Sequence, residues 1–207
     1  MNLARLKPVQ IGRVKTALFL FALAPFARLL VGAFTNELGT NPIELITRST
    51  GTWTLVFLCI TLAVTPARKF SGWYWLAQTR RMFGLFAFFY AACHFTTFIW
   101  FDHFFDVEEI WADVLKRPFV TIGFSAFVLL VPLALTSTNG MVRRLGAARW
   151  QALHRTVYLI AVLGVVHYWW LVKRDLTQPI IYAAAVAALL GARLVIRRSR
   201  KAATLPG

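Results

Sequence analysis

Three of the four histidines in this chain lie inside long apolar segments of the sequence. They are His94, His154 and His167. An ionisable side chain is costly in the hydrocarbon of a membrane, so such a residue usually faces the interior of a helix bundle and has a function there. Neutral imidazole is also a common protein ligand of haem iron. The first chemistry that this pattern predicts is therefore ligation of a haem iron within a membrane.

His94 and His167 are predicted to lie at similar depths. His94 is eight residues before Asp102, and His167 is six residues before Lys173. At about 1.5 Å per helical residue, the two depths agree within roughly one turn. The two imidazoles could therefore ligate one iron from opposite sides.

Small residues accompany both histidines. Gly164 lies about one turn before His167, and three small residues share a predicted helix face with His94 at spacings of three and four: Gly84, Ala87 and Ala91. They leave room for a flat macrocycle. Small residues also let membrane helices approach closely, so this second explanation stays open for them.

His154 has no such partner, because its own depth on the neighbouring segment is occupied by Arg80 and Arg81. Thirteen residues separate it from His167, which is about 140° around an ideal helix. Either a bend near Gly164 or a different role for His154 is required. A second haem, a quinone or flavin contact, and a structural hydrogen bond to a carbonyl or headgroup all remain open.

The composition is that of an integral membrane protein. The 207 residues are 58% hydrophobic and 15% aromatic, with a mean hydropathy of +0.62. Soluble domains are nearer half apolar. The net charge of +15 comes from short basic clusters between apolar stretches rather than from one face of a soluble fold, which argues against a nucleic-acid partner.

Six segments approach the length of about 20 apolar residues that crosses a bilayer. They are Thr16 to Phe34, Gly51 to Ala67, Met82 to Trp100, Phe119 to Leu135, Trp150 to Val172 and Pro179 to Ile196. We expect an all-α bundle of six transmembrane helices that forms one domain over residues 1–207. Since no G-x-G-x-x-G motif follows a strand, the chain needs an electron donor other than a dinucleotide bound to it.

The basic residues predict the orientation of this bundle. Sixteen of the twenty-three basic residues fall on the side of the two termini: Arg5, Lys7, Arg13, Lys15, Arg68, Lys69, Arg80, Arg81, Arg143, Arg144, Arg149, Arg193, Arg197, Arg198, Arg200 and Lys201. The positive-inside rule then places both termini in the cytoplasm. All eight acidic residues fall on the opposite side, which is where a basic partner is expected.

Several motifs resemble the ferric-reductase-type membrane family, in its branch of haem-binding subunits of periplasmic methionine sulfoxide reductase systems. They are Arg80, Arg81, Gly84 and His94, the run LALTSTNGMVRRLGAARWQALHRTVYL, VVHYWW, KRPFVTIG at Lys116 to Gly123, and TPAR at Thr65 to Arg68. The similarity extends over nearly the whole chain.

The resemblance implies a multi-pass protein of the bacterial inner membrane that binds haem b and FMN. Such a protein takes electrons from the respiratory quinone pool and passes them to a periplasmic molybdopterin-dependent reductase, which repairs methionine sulfoxide in envelope proteins. His94, His154 and His167 match the three helix histidines of the family, and no residue here is matched to FMN. The chain would be an electron-transfer subunit rather than the catalytic one.

Two other functions remain open at this point. The chain could be a stand-alone ferric or quinone reductase whose electrons leave to a small molecule. It could also be a small transporter or assembly factor whose histidines serve proton movement or packing, and such a protein would purify without a Soret band.

Overall fold

The computed structural model describes the backbone of residues 6–202 and the side chains of residues 6–199, and this part of the chain is a bundle of helices without β-strands. In chain order the helices are α1 Pro8–Thr35, α2 Pro42–Ser71, α3 Arg80–Thr97, α4 Val107–Lys116, α5 Pro118–Leu135, α6 Asn139–Leu145, α7 Ala147–His154, α8 Val157–Leu171 and α9 Thr177–Ala202. A short 3-10 turn, Tyr74–Gln78, precedes α3, and a π-helical turn, Phe98–Asp102, follows it. Arg5, Arg200 and Lys201, which entered the charge count, lie outside the described side chains.

Five helical segments of the described chain are long and apolar enough to cross a membrane: Pro8–Thr35, Pro42–Ser71, Arg80–Asp102, Pro118–Leu135 and Thr177–Ser199. They contain five of the six segments predicted from sequence. The remaining one, Trp150 to Val172, is divided between α7 and α8, so the prediction of one continuous helix there is wrong. With 15 residues, α8 alone is about 22 Å long.

The division between α7 and α8 is a tightened turn of the backbone. The N–H and the hydroxyl of Thr156 both donate to the Leu153 carbonyl, at 3.1 and 2.8 Å. The Tyr158 N–H likewise donates to the Arg155 carbonyl at 3.1 Å. Bonds of this i to i−3 type belong to 3-10 geometry and redirect the helix. A bend near Gly164 was one of the two alternatives for His154, and the structure places the interruption at Arg155 and Thr156 instead, with α8 continuous past Gly164.

The connection between α3 and α5 contains the short helix α4. Asp106 caps the N-terminus of α4, and its Oδ1 accepts hydrogen bonds from the N–H groups of Glu108 and Glu109. Acidic residues in a first turn favour a helix start. That signal was present in the sequence, although the segment is too short to be recognised by periodicity.

The core lies where α2, α3, α8 and α9 pack together, with α5 packed against α3 and α8. The side chains with at most 1% exposure include Leu62, Ala87, Tyr90, Ile160 and Ala161. These residues come from α2, α3 and α8, so the three helices form one continuous apolar interior. This interior fixes the relative positions of α3 and α8, which carry two of the three histidines.

Proline residues inside helices include Pro25 of α1, Pro66 of α2 and Pro132 of α5, and next to the first two, side chains from other helices bond backbone groups that lack their helical partners. Next to Pro25 of α1, the Tyr90 hydroxyl donates to the Ala22 carbonyl at 2.8 Å and accepts from the Phe26 N–H at 3.1 Å. Those two groups would otherwise bond each other in a regular helix. Tyr90 therefore bridges a gap in α1 and ties α3 to it.

Pro66 of α2 lacks the N–H that would bond the Leu62 carbonyl. The Arg193 guanidinium of α9 donates to this carbonyl instead, at 2.7 and 3.1 Å, and to the Tyr158 hydroxyl at 2.8 Å. Arg193 was counted among the basic residues that set the orientation. Within the bundle it holds three helices together.

Candidate functional site

The structure brings His94 of α3 and His167 of α8 face to edge. Their ring centroids are 6.2 Å apart, and the ring planes are inclined by 74°. A metal ion bonded at about 2 Å to one nitrogen of each ring, with the two rings on opposite sides of it, would separate the centroids by roughly 6 to 6.5 Å. The spacing therefore fits one metal ion held between the two imidazoles.

Both imidazoles are oriented by the main chain of a neighbouring helix. His94 Nδ1 lies 2.9 Å from the Thr47 carbonyl of α2, and His167 Nδ1 lies 2.7 Å from the Phe119 carbonyl of α5. A carbonyl oxygen can only accept, so Nδ1 carries the proton in both rings. Nε2 of each ring is then unprotonated, which is the form that binds a metal.

A cavity of about 650 Å³ surrounds these two histidines, which is within the range of small-molecule and cofactor sites. Ala91 and Gly164 line it, as the small residues were expected to do, whereas Gly84 lines a different cavity. Ala87 is fully buried in the core. A methyl group on Gly164 would also lie 3.0 Å from Leu55 Cδ2, so this glycine serves helix packing as well. We call this space the paired-histidine cavity.

Charged residues line one end of the paired-histidine cavity, where α2 begins and α3 and α8 end. They are Arg48, Asp102, Lys173, Arg174 and Asp175. Arg48 forms an exposed ion pair with Glu44 at 2.7 Å. Hydrogen bonds from the hydroxyl and N–H of Thr177 hold the pKa of Asp175 below its usual range. The apolar interior and the charged mouth together suit a flat apolar cofactor that carries acidic substituents.

Sequence reasoning missed four residues around these histidines. Thr47 and Phe119 contribute carbonyls, and Gly51 and Gly123 lie four residues later in each helix. A Cβ on Gly51 or Gly123 would lie 3.1 Å or less from the facing imidazole. The sequence shows each glycine inside an apolar segment, but nothing in it indicates which helix it faces.

His154 lies at the end of α7, away from the paired histidines, in a second cavity of about 280 Å³. Its Nε2 is 3.0 Å from the Thr136 hydroxyl, and its ring stacks on Trp150 with centroids 3.9 Å apart. The indole N–H of Trp150 donates to the Thr136 carbonyl at 2.9 Å. We call this space the His154 cavity.

Three arginines line the His154 cavity, together with Thr61 and Ser137. They are Arg68, Arg80 and Arg81. Arg81 donates to the Asn139 side chain at 2.6 Å and lies over the Trp150 ring at 5.9 Å. The proximity of Arg80 and Arg81 to His154, expected from the sequence, is therefore seen in the structure.

The fourth histidine, His103, lies near the end of α3, beside acidic residues of α4. Its Nε2 lies 3.2 Å from an Asp113 carboxylate oxygen, and Asp113 also pairs with Arg117 at 3.2 Å. Among the described residues, no group of three or more His, Cys, Asp or Glu side chains is arranged to hold a metal ion. Its contact with Asp113 places His103 of the connecting segment against α4.

Comparison with known proteins places the chain among membrane oxidoreductase components. Residues 11–165 match a family described as ferric reductase like transmembrane component. The chain is also 63% identical, over 189 residues, to the protein-methionine-sulfoxide reductase heme-binding subunit MsrQ of Herminiimonas arsenicoxydans, covering 90% of this chain and 87% of that protein.

Two further relatives carry the same description. The chain is 54% identical to the protein from Azospira oryzae over 191 residues, covering 92% of this chain and 82% of the relative. It is 52% identical to the protein from Ralstonia nicotianae over 206 residues, covering 98% and 95%. The last of these alignments spans nearly the complete chain.

Proposed function

The chain belongs to the family of ferric reductase like transmembrane components, and from this premise we propose that it is a haem-binding electron-transfer subunit of a protein-methionine-sulfoxide reductase. Its relatives are named as the heme-binding subunit of such an enzyme. The observation that carries the proposal is the pair His94 and His167, 6.2 Å apart within one large cavity.

His94 and His167 are the proposed axial ligands of a haem b in the paired-histidine cavity. The Thr47 and Phe119 carbonyls hold both rings in the ligating tautomer. The cations at the charged mouth, Arg48, Lys173 and Arg174, provide partners for acidic substituents. When bound there, haem supplies one-electron transfer at a potential set by its ligands and their surroundings.

The His154 cavity is the proposed place of the quinol that donates the electrons. Oxidation of a quinol releases protons as well as electrons, so the site needs groups that exchange hydrogen-bonding roles. The His154 imidazole and the Thr136 hydroxyl, 3.0 Å apart, are such groups. At about 280 Å³ the cavity is less than half the size of the other. FMN remains a prediction of the resemblance without an assigned residue.

The proposed topology has six spans in one domain, with α7 and α8 together forming the fifth and both termini in the cytoplasm of the inner membrane. The predicted charge bias supports this orientation. The charged mouth of the paired-histidine cavity would then face the periplasm. A periplasmic molybdopterin-dependent reductase is the proposed electron acceptor, and it would approach this mouth.

The test is a set of reduced-minus-oxidised spectra of the full chain purified in detergent from haem-replete cells. We expect a b-type spectrum in the wild type, its loss in His94→Ala and His167→Ala, and its retention in His154→Ala. His103→Ala is the matched control, because its imidazole lies outside both cavities. A wild type free of haem would overturn the proposal and favour a transporter.

A second experiment separates the proposed partner from a small-molecule acceptor. The purified chain in proteoliposomes is reduced with a quinol, and its reoxidation is followed with either the periplasmic reductase or a ferric chelate. We expect reoxidation by the reductase in the presence of methionine sulfoxide, together with copurification of the two proteins. Reoxidation by the chelate alone would indicate a stand-alone ferric reductase.

A further inference from the structure

Each of the paired histidines meets its neighbouring helix in the same way. His94 contacts α2 at Thr47 and Gly51, and His167 contacts α5 at Phe119 and Gly123. In both cases the glycine follows the carbonyl residue by four positions. The arrangement occurs twice, on different helix pairs, and at both members of the proposed ligand pair.

A spacing of four explains why the second residue must be small. In an α-helix, the side chain of a residue lies over the turn that precedes it, where it covers the carbonyl four residues earlier. That carbonyl already accepts the N–H of the later residue, and its second lone pair can accept another donor. At Thr47 the Thr50 hydroxyl also lies 3.1 Å from the carbonyl oxygen, but it makes its shorter contact, 2.8 Å, with the Ile46 carbonyl. Glycine at the later position leaves this second lone pair open to an imidazole from the adjacent helix.

The distances show how closely the rings use this space. A Cβ on Gly123 would lie 2.7 Å from Nδ1, 2.8 Å from Cε1 and 3.1 Å from Cγ of His167. A Cβ on Gly51 would lie 3.1 Å from Cε1 and 3.2 Å from Nδ1 of His94. The distances at Gly123 are too short for a methyl group to fit without moving the His167 ring. Those at Gly51 require the His94 ring to shift by a few tenths of an ångström. In contrast, a Cβ on Gly191 of α9 would meet no atom within 4 Å.

We infer that Gly51 and Gly123 are positioning residues, which admit the imidazoles to the Thr47 and Phe119 carbonyls and thereby fix the tautomer and orientation of the two ligands. The inference rests on the proposed haem ligation. A methyl group at either position pushes the ring away from its carbonyl and weakens the Nδ1–H bond. Such bonds raise the basicity of a ligating imidazole, and their loss costs about 10- to 100-fold in metal affinity.

The test compares Gly123→Ala, Gly51→Ala and the control Gly191→Ala in the purified full chain. The readouts are haem retained per protein, the low-spin EPR signal and the reduction potential. We expect Gly123→Ala to lose haem affinity by about 10- to 100-fold, with a changed EPR signal and a more positive potential in the haem that remains. Gly51→Ala should show the same changes to a smaller extent, and Gly191→Ala should behave as the wild type.

A double variant covers the case in which Gly123→Ala fails to accumulate. The three atoms nearest the added Cβ all belong to His167, so Gly123→Ala combined with His167→Ala should accumulate and unfold thermally like His167→Ala alone. A double variant no better than Gly123→Ala would overturn the inference. So would a Gly123→Ala protein with the wild-type EPR signal and potential, and that result would leave the proposed haem binding intact. A wild type without haem would instead remove the proposed function.

Discussion

The paired-histidine cavity lies along α8, the His154 cavity lies at the junction of α7 and α8, and the two hold their histidines by different means. His94 and His167 each bond a backbone carbonyl of a neighbouring helix. His154 bonds the hydroxyl of Thr136 and stacks on Trp150. The first cavity therefore relies on the main chain, and the second relies on side chains.

The difference has a chemical consequence. A carbonyl oxygen only accepts, so it fixes one tautomer of the imidazole, whereas a hydroxyl can donate or accept. The Thr136 hydroxyl also lies 2.6 Å from the Pro132 carbonyl, which gives it an alternative acceptor. A fixed tautomer suits a permanent metal ligand. An exchangeable one suits a reaction in which protons move.

The largest expected effect comes from replacing a proposed axial ligand in the paired-histidine cavity, compared with the same replacement in the His154 cavity. His167→Met should raise the reduction potential by an amount of the order of 0.1 V, because methionine ligation favours ferrous haem and axial ligands set potentials over about 0.8 V. His154→Met should leave the potential nearly unchanged. Potentiometric titration of the haem spectrum measures both. Equal shifts of the reduction potential in the two variants would show that both histidines act on the haem in the same way, which would contradict the proposed difference between the cavities.

The next largest effect concerns Arg193, which joins α9 to α2 and α8. Arg193→Met leaves the Leu62 carbonyl, released by Pro66, without its donor. An unsatisfied buried acceptor costs roughly 1–3 kcal/mol of unfolding free energy. Thermal unfolding in detergent should show this loss. Arg197→Met, an exposed position about one turn later on α9, is the control, and an equal loss there would contradict the assigned role of Arg193.

Two threonines test whether a histidine is held by a carbonyl or by a side chain: His94 bonds the Thr47 carbonyl, and His154 bonds the Thr136 hydroxyl. Thr136→Val removes the hydroxyl from His154 and should cost about 1 kcal/mol, together with slower reduction by quinol. Thr47→Val keeps the carbonyl that His94 uses, so the haem spectrum and potential should not change. Stopped-flow reduction and potentiometry measure the two responses. An altered spectrum in Thr47→Val would show that its side chain matters.

The smallest effect is expected at the charged mouth. Arg48→Gln breaks an exposed ion pair with Glu44 whose arginine side chain is 77% accessible. Such pairs contribute about 0–1 kcal/mol, so unfolding should change by less than roughly 0.5 kcal/mol. The thermal midpoint in detergent at low and high salt provides the check. Haem content should fall only slightly, because Lys173 and Arg174 remain as partners for the acidic substituents. A large loss of haem in this variant would show that Arg48 is the main partner.

The sequence by itself determined the membrane class and most of the spans. Apolar runs of about 20 residues can be read locally because each must cross the hydrocarbon alone with its backbone bonds satisfied internally. It also determined that His94 and His167 lie at similar depths, since helical rise is constant. It did not show the interruption at Arg155 and Thr156, because a 3-10 turn there has no Pro or Gly to mark it.

Only the tertiary structure decided which helices face each other and how the histidines are held. The Thr47 and Phe119 carbonyls carry no side-chain signal, since every residue has a carbonyl. Gly51 and Gly123 resemble any small residue of an apolar helix until the facing imidazole is known. In the sequence, Arg193 was only one of the basic residues that predict the orientation. In the structure its guanidinium donates to the Leu62 carbonyl, which Pro66 cannot bond. Such pairings join residues far apart in the chain, and local periodicity has no information about them.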